Sequence, residues 1–358
     1  MNATSRRLAL LAEGCFTPSD AKTAVGLLRY CPGDVAAVLD STRAGSRAHE
    51  VVGTGGAAPV VATLEEAAAR GANALVIGVA PQGGELPPGW RAGVRAALER
   101  GWDVLSGLHV FLGDDPEFAA AAARSGARIH DARRPPAGRW VGAGSARALE
   151  ATVVLTVGSD CNVGKMTASL ELTRALTARG TRAAFVATGQ TGMFIAGSGV
   201  AVEGVASDFV AGTTEHLVLE AARDADVVVV EGQGSLFHPG YSGVTLGLLH
   251  GACPAGMLLC HRVGRAQLRV TGGPPEGYAV PPLPAMVAAY EEAARWVRPA
   301  PVVGVALNTL GQDEEAAREA CAVAARATGL PATDPVRFGA APLAEAVEAL
   351  RRARATAT

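Results

Sequence analysis

The chain has 358 residues, 49% of them apolar and only 18% charged, which suits two buried cores at roughly 150 residues per domain and excludes a disordered chain. Its 32 basic and 34 acidic residues give a formal charge of −2 with no long run of either sign, so no nucleic-acid partner held by a basic face is expected. The longest apolar stretches, such as Val227–Val230, fall far short of the roughly 18 residues a membrane span needs.

The apolar run Leu8–Ala12 behind Arg6-Arg7 is too short for a secretory leader, and the six cysteines lack CxxC spacing, so a cytoplasmic protein with reduced thiols is expected. A symmetric homo-oligomer is expected on general grounds. In the first third, β-rich runs at Arg7–Leu11, Val35–Leu39, Ala74–Val79, Asp103–Leu105 and Ala127–His130 alternate with helical patterns. These lie at Ser19–Arg29, Thr63–Arg70, Trp90–Arg100 and Pro116–Ser125. The alternation predicts an α/β fold with a parallel, doubly wound sheet, a Rossmann-like N-terminal domain over residues 1–130. The dinucleotide fingerprint is missing, since Glu13-Gly14-Cys15-Phe16 follows the first strand. Gly55-Gly56 and Gly83-Gly84 read as turns.

Residues 131–150, rich in Arg, Pro and Gly without periodicity, read as a linker. A second parallel-sheet domain of phosphate-loop type is expected over residues 151–358. Its strands are expected at Ala151–Val157, Arg182–Ala187, Asp226–Val230, Gly256–Cys260 and Pro301–Leu307. Its helices are expected at Gly164–Arg179, Thr214–Arg223, Pro284–Trp296, Asp313–Thr328 and Leu343–Arg352.

The strongest motif opens this second domain. Gly158-Ser159-Asp160-Cys161-Asn162-Val163-Gly164-Lys165-Met166-Thr167 follows an apolar strand and leads into a helix, the context a phosphate loop requires. Backbone N–H groups of such a loop converge on phosphate oxygens, and the helix N-terminus adds positive partial charge. Lysine is nearly absent from the chain: only Lys22 and Lys165 stand among the 32 basic residues, so Lys165 is a candidate cation that arginine does not replace. Five residues separate Gly158 from Gly164 instead of four, and Met166 occupies the usual hydroxyl position, leaving Thr167 as the candidate metal or phosphate ligand.

Val227–Val230 is a buried strand ending in Glu231, followed by the glycine turn Gly232-Gln233-Gly234-Ser235. Ligands of open parallel sheets bind at the carboxyl ends of strands, so Glu231 is a candidate base or magnesium ligand; the alternative is a plain strand-end carboxylate. Asp208, His238 and Tyr241 are further candidates for proton transfer near the same cleft. Gln190, Ser235, His261, Arg262 and Arg265 are candidate substrate contacts, the arginines because they pair bidentately with carboxylates. A zinc site is disfavoured, since Cys260 and His261 are adjacent and no finger spacing follows.

The five-residue spacing resembles the GTDxxxGKT loop of dethiobiotin synthetase and its relatives. That resemblance implies a nucleotide site in which Glu231 approaches metal and phosphates and Asn308, at the end of a strand, reads an adenine edge. More specifically, GSDCNVGKMT, ATGQTG, EGQGSLFHPGYSGVTLGLLHG and LCHRVGR together resemble the D-glutamate N-acetyltransferase-like family over nearly the whole chain. This second resemblance implies transfer of an acetyl group from acetyl-CoA to the amine of D-glutamate or a related acidic amino acid. The motifs by themselves favour an ATP- and Mg²⁺-dependent ligase or kinase. Coenzyme A and ATP both present phosphates and adenine to such a loop, so both readings stand at this level, with Glu231, Asp208 and His238 as alternative bases.

Overall fold

Strands of a parallel sheet covered on both faces are continuous apolar runs, and two six-stranded sheets of this kind organise the chain. The structure is a computed structural model that describes residues 6–79, 84–270, 273–274 and 276–356. Gly83, read above as part of a turn, lies outside the described residues. Two compact units are present. One comprises the chain through Arg134 together with Met193–Gly197, the other Pro135–Gly192 and the chain from Ser198 onward.

The first unit is a sheet of β1 (Leu8–Leu11), β2 (Val35–Leu39), β3 (Val60–Val61), β4 (Ala74–Ile77), β5 (Asp103–Ser106) and β6 (Ile129–Asp131). The order is β3-β2-β1-β4-β5-β6 with every pairing parallel, a Rossmann-like arrangement. Its helices are α1 (Lys22–Tyr30), α2 (Ala48–Val52), α3 (Leu64–Ala68), α4 (Arg91–Glu99) and α5 (Pro116–Ser125). The bounds of α5 follow local chemistry: Asp115 caps the N–H groups of Glu117 and Phe118, Pro116 stands at the first helical position, and Gly126 ends it in the left-handed region. β3 and α2, of two and five residues, were not expected because segments so short carry no period.

The second unit contains β7 (Thr152–Gly158), α6 (Lys165–Ala178), β8 (Ala183–Val186), the start of α7 (Gln190–Ala196, of which Met193 onward belongs to the first unit), α8 (Ser207–Ala221), β9 (Val227–Val230) and α9 (Ser242–Ala252). It continues with β10 (Gly256–Arg262), α10 (Leu283–Arg295), β11 (Val302–Asn308), α11 (Glu314–Thr328), β12 (Ala332–Thr333) and α12 (Ala341–Ala355). The parallel order β12-β11-β10-β7-β9-β8 places β7 between β10 and β9. Among the described residues, no helix is long and apolar enough to cross a membrane.

Three features of this unit differ from the sequence reading, two of them through close packing. α8 begins at Ser207 rather than Thr214, which puts Asp208 in its exposed first turn. α9 covers a stretch given no helix in the sequence reading, because its glycines lower helix propensity. Those glycines serve contact with α8: a methyl at Gly251 would lie 2.1 Å from the Ala211 carbonyl, and one at Gly247 2.6 Å from Val210. Part of the segment read as a linker is also held in this unit. Glu215 of α8, 5% exposed, accepts the N–H groups of Ala143, Ser145 and Ala146, while Trp140 stacks on His216 at 4.1 Å.

Candidate active site at the carboxyl ends of the central strands

β7 delivers the phosphate loop to the middle of the second sheet, and α6 begins at Lys165 behind Gly164, which offers no side chain to cap the first turn. The leading N–H groups of a helix without a side-chain cap suit an anion. Lys165 is buried and donates to the Asp160 carbonyl at 2.8 Å. Met166 and Thr167, half-buried, complete the first turn, and Val163 anchors the loop in the core beneath. Asn162 takes a left-handed conformation, φ 54°, which asparagine tolerates better than most residues.

Asp160 was expected to touch the cofactor, but its carboxylate faces inward. It is 0% exposed, accepts the Cys161 N–H at 2.7 Å, the Arg269 N–H at 3.0 Å and Arg265 Nη1 at 2.8 Å. Arg265 Nη1 also donates to the Cys161 carbonyl at 2.8 Å, so this guanidinium braces the phosphate loop. His261 Nδ1 pairs with Ser159 Oγ at 2.9 Å; burial, followed by the charge of Arg265, holds its pKa below the usual value, so the ring is neutral. Arg262 ends β10, half-buried, beside Asn308 in register.

β9 ends immediately before Glu231, which is 4% exposed. Its Oε2 accepts the N–H groups of Thr188 and Gly189 at 3.1 and 3.2 Å, and Gln233 Nε2 donates to the Thr188 hydroxyl beside it at 3.2 Å. The segment ATGQTG is therefore a cradle for Glu231. A methyl at Gly192 would lie 2.3 Å from Oε2, so only glycine leaves room for the carboxylate. Gln190, buried, starts α7 within this cradle. Desolvation outweighs the hydrogen bonds and pushes the pKa of Glu231 up to about 7, the range a general base needs at neutral pH.

Gly232 makes the tightest approach in the site: a methyl there would stand 1.7 Å from the Thr156 carbonyl oxygen and 3.2 Å from Lys165 Cδ. Gly232→Ala is expected to cost at least the ~1–3 kcal/mol typical of overpacking and to displace Lys165. Thermal melting together with a nucleotide-binding titration checks both effects; an unchanged melting temperature would contradict the packing.

The remaining candidates separate. His238 is buried, with Nδ1 accepting the Gly240 N–H at 3.1 Å and Nε2 donating to the Arg269 carbonyl at 2.9 Å, so both ring nitrogens hold backbone. Tyr241 is half-exposed and packs on the His238 ring at 4.5 Å. Ser235 is fully buried and accepts the Phe237 N–H at 3.3 Å. Asp208 is exposed, and among the described residues no hydrogen bond joins it to the loop. Asn308 uses Oδ1 for the Leu310 N–H at 3.1 Å, and its Nδ2 lies 3.8 Å from where a methyl at Gly164 would stand. The sequence reading missed Tyr290, whose hydroxyl reaches both the phosphate loop and the segment after Glu231.

Donor atoms of Asp160, Cys161 and His238 lie within 4.8 Å of one another. Hydrogen bonds and the Arg265 cation already occupy this Asp and His, so the cluster fits an anchor better than a metal site. Glu231 is likewise surrounded by hydrogen-bond donors, which fits a buried carboxyl better than a magnesium ligand.

Comparison with known proteins accounts for this layout. Residues 140–344 match the P-loop domain DUF1611_C and residues 41–135 the Rossmann-like domain DUF1611_N, both described as domains of unknown function. The chain is 42% identical over 289 residues to a D-glutamate N-acetyltransferase of Tritonibacter scottomollicae, covering 80% of this chain and 85% of that one. It is 36% identical over 278 residues to a D-glutamate N-acetyltransferase of a Pseudoalteromonas species, covering 76% and 81%. A crystal structure of a DUF1611 family protein from Anabaena variabilis ATCC 29413 superposes with a TM-score of 0.90 at 41% identity, covering 96% of this chain and 99% of that one. With both domains matched and near-complete coverage by relatives above 30% identity, the chain belongs to the DUF1611 family.

Proposed function

We propose that this chain is an acyl-CoA-dependent N-acetyltransferase that acetylates the amine of an acidic amino acid, D-glutamate first. The carrying observation is the 42% identity over 80% of the chain with a relative of that name. Acetyl-CoA supplies the acyl group and a thiolate leaving group. On this reading Lys165 and the loop N–H groups hold coenzyme A phosphates, and Asn308 Nδ2, on the loop side, addresses the adenine. Glu231 accepts the proton of the attacking amine, because its raised pKa suits that exchange, whereas His238 has both nitrogens engaged. Arg262, with Nε and Nη2 of Arg265, offers donors to the carboxylates of the amino acid.

A second reading, an ATP- and Mg²⁺-dependent ligase or kinase, draws on the phosphate loop itself, which suits a triphosphate equally well. One assay separates the two. Incubation with acetyl-CoA and a panel of D- and L-amino acids is expected to release free thiol and an N-acetyl product without nucleotide, acidic members leading. Release of ADP or phosphate that requires Mg²⁺ and an amino acid, without thiol release, would replace the transferase by the ligase.

A further inference from the structure

We infer that Tyr290 is a positioning residue that couples the phosphate loop to the segment running from Glu231 to His238. The inference rests on the reading of that loop as the cofactor site and adds what aligns it with the chemistry. Tyr290 stands on α10 and is 0% exposed. Its hydroxyl donates to the Gly158 carbonyl at 2.7 Å and accepts the N–H groups of Gly158 at 3.3 Å and Leu236 at 3.2 Å. A phenol has one proton and two lone pairs, so these three bonds use its full capacity. Gly158 ends β7 at the start of the loop; Leu236 lies between Glu231 and His238. One buried hydroxyl therefore spans backbone more than seventy residues apart.

A second tie closes the circuit. His238 Nε2 donates to the Arg269 carbonyl at 2.9 Å, and the Arg269 N–H bonds the buried Asp160 carboxylate of the loop at 3.0 Å. The 235–240 segment is thus fastened to the loop at two points, by Tyr290 at Leu236 and by His238 through Arg269. Movement of the loop as it closes on an anion must then be followed by this segment, or one of the ties must break. The Tyr290 ring contributes packing of its own, edge-on to Phe237 at 5.8 Å, and so a variant that keeps the ring isolates the hydroxyl.

The test is hydrogen exchange on the full chain, with and without CoA and in parallel with MgATP, on the wild type, Tyr290→Phe and the packing control Phe237→Leu. In the wild type the bound probe is expected to protect both 158–165 and 235–241. In Tyr290→Phe, protection is expected to persist at 158–165 and to fall at 235–237, beside the lost hydroxyl, while 238–241 stays tied through Arg269. The KM for acetyl-CoA should stay within about threefold and kcat fall about tenfold or more, the split of a group that positions chemistry rather than binds. Phe237→Leu is expected to lower the melting temperature yet keep both protections. Retained protection of 235–237 in a folded Tyr290→Phe, with only a lower melting temperature, would make Tyr290 a core residue and overturn the coupling. Wild-type protection confined to 158–165 with both probes would overturn it too, and decides the matter if Tyr290→Phe does not fold. Protection of both segments by MgATP but not CoA would instead count against the transferase reading and support the coupling.

Discussion

Lys165→Ala is expected to weaken binding of acetyl-CoA by about 100-fold, since a charge-assisted hydrogen bond contributes ~1.5–3 kcal/mol and each 1.4 kcal/mol is about tenfold. The residue opens α6 and belongs to none of the apolar clusters packed on this sheet, so the fold should survive its loss. Lys165→Arg is expected to restore little. Nζ already lies 3.0 Å from where a methyl on Gly158 would stand, and the planar guanidinium is too large for that space. Calorimetry with acetyl-CoA, CoA, ATP and ADP, with and without Mg²⁺, measures this directly and identifies the preferred ligand. Unchanged affinity in the alanine variant would remove Lys165 from the cofactor site.

Glu231→Gln is expected to lower kcat by about 10²-fold or more, the usual contribution of a positioned base. Its pH behaviour provides a second signature. With a pKa of about 7, Glu231 becomes a base only as pH rises through neutrality, so activity should climb across that range in the wild type. Stability runs the other way. Between the ordinary glutamate value of 4.5 and about 7, the folded chain keeps a proton that the unfolded chain has lost. Stability therefore falls as pH rises through this window, and above it the buried charge costs on the order of 3 kcal/mol. Glutamine carries no charge, and its carbonyl can accept the Thr188 and Gly189 N–H groups in place of Oε2. Glu231→Gln should consequently melt higher than the wild type at pH 8 and alike at pH 4. A variant that melts lower at both would identify Glu231 as a member of the cradle alone.

These expectations draw on residues that differ in how plainly the chain announces them. The phosphate loop, Lys165 and Glu231 were legible because each motif is local: an apolar strand, a turn of glycines and a helix start lie within a few consecutive residues. Four β-branched residues ending in a carboxylate announce a strand end in the same way. Residue type, however, does not reveal which way a side chain turns. Asp160 faces inward to Arg265, and His238 spends both nitrogens on backbone, although each has the chemistry of a site residue.

Sequence alone determined the α/β class, the parallel sheets, the position of the phosphate loop and the strand end that presents Glu231, because periodicity and turn chemistry act between near neighbours. Tertiary structure decided the rest. The helix α9 exists despite its glycines because α8 lies against them, and Gly192 is required only because Glu231 fills the space its side chain would occupy. Tyr290 gains its role from Gly158, 132 residues away, and Leu236, 54 residues away. Contacts across such separations leave no pattern in the chain. They arise only when the folded sheet brings strand ends together and buries polar groups that must then find partners.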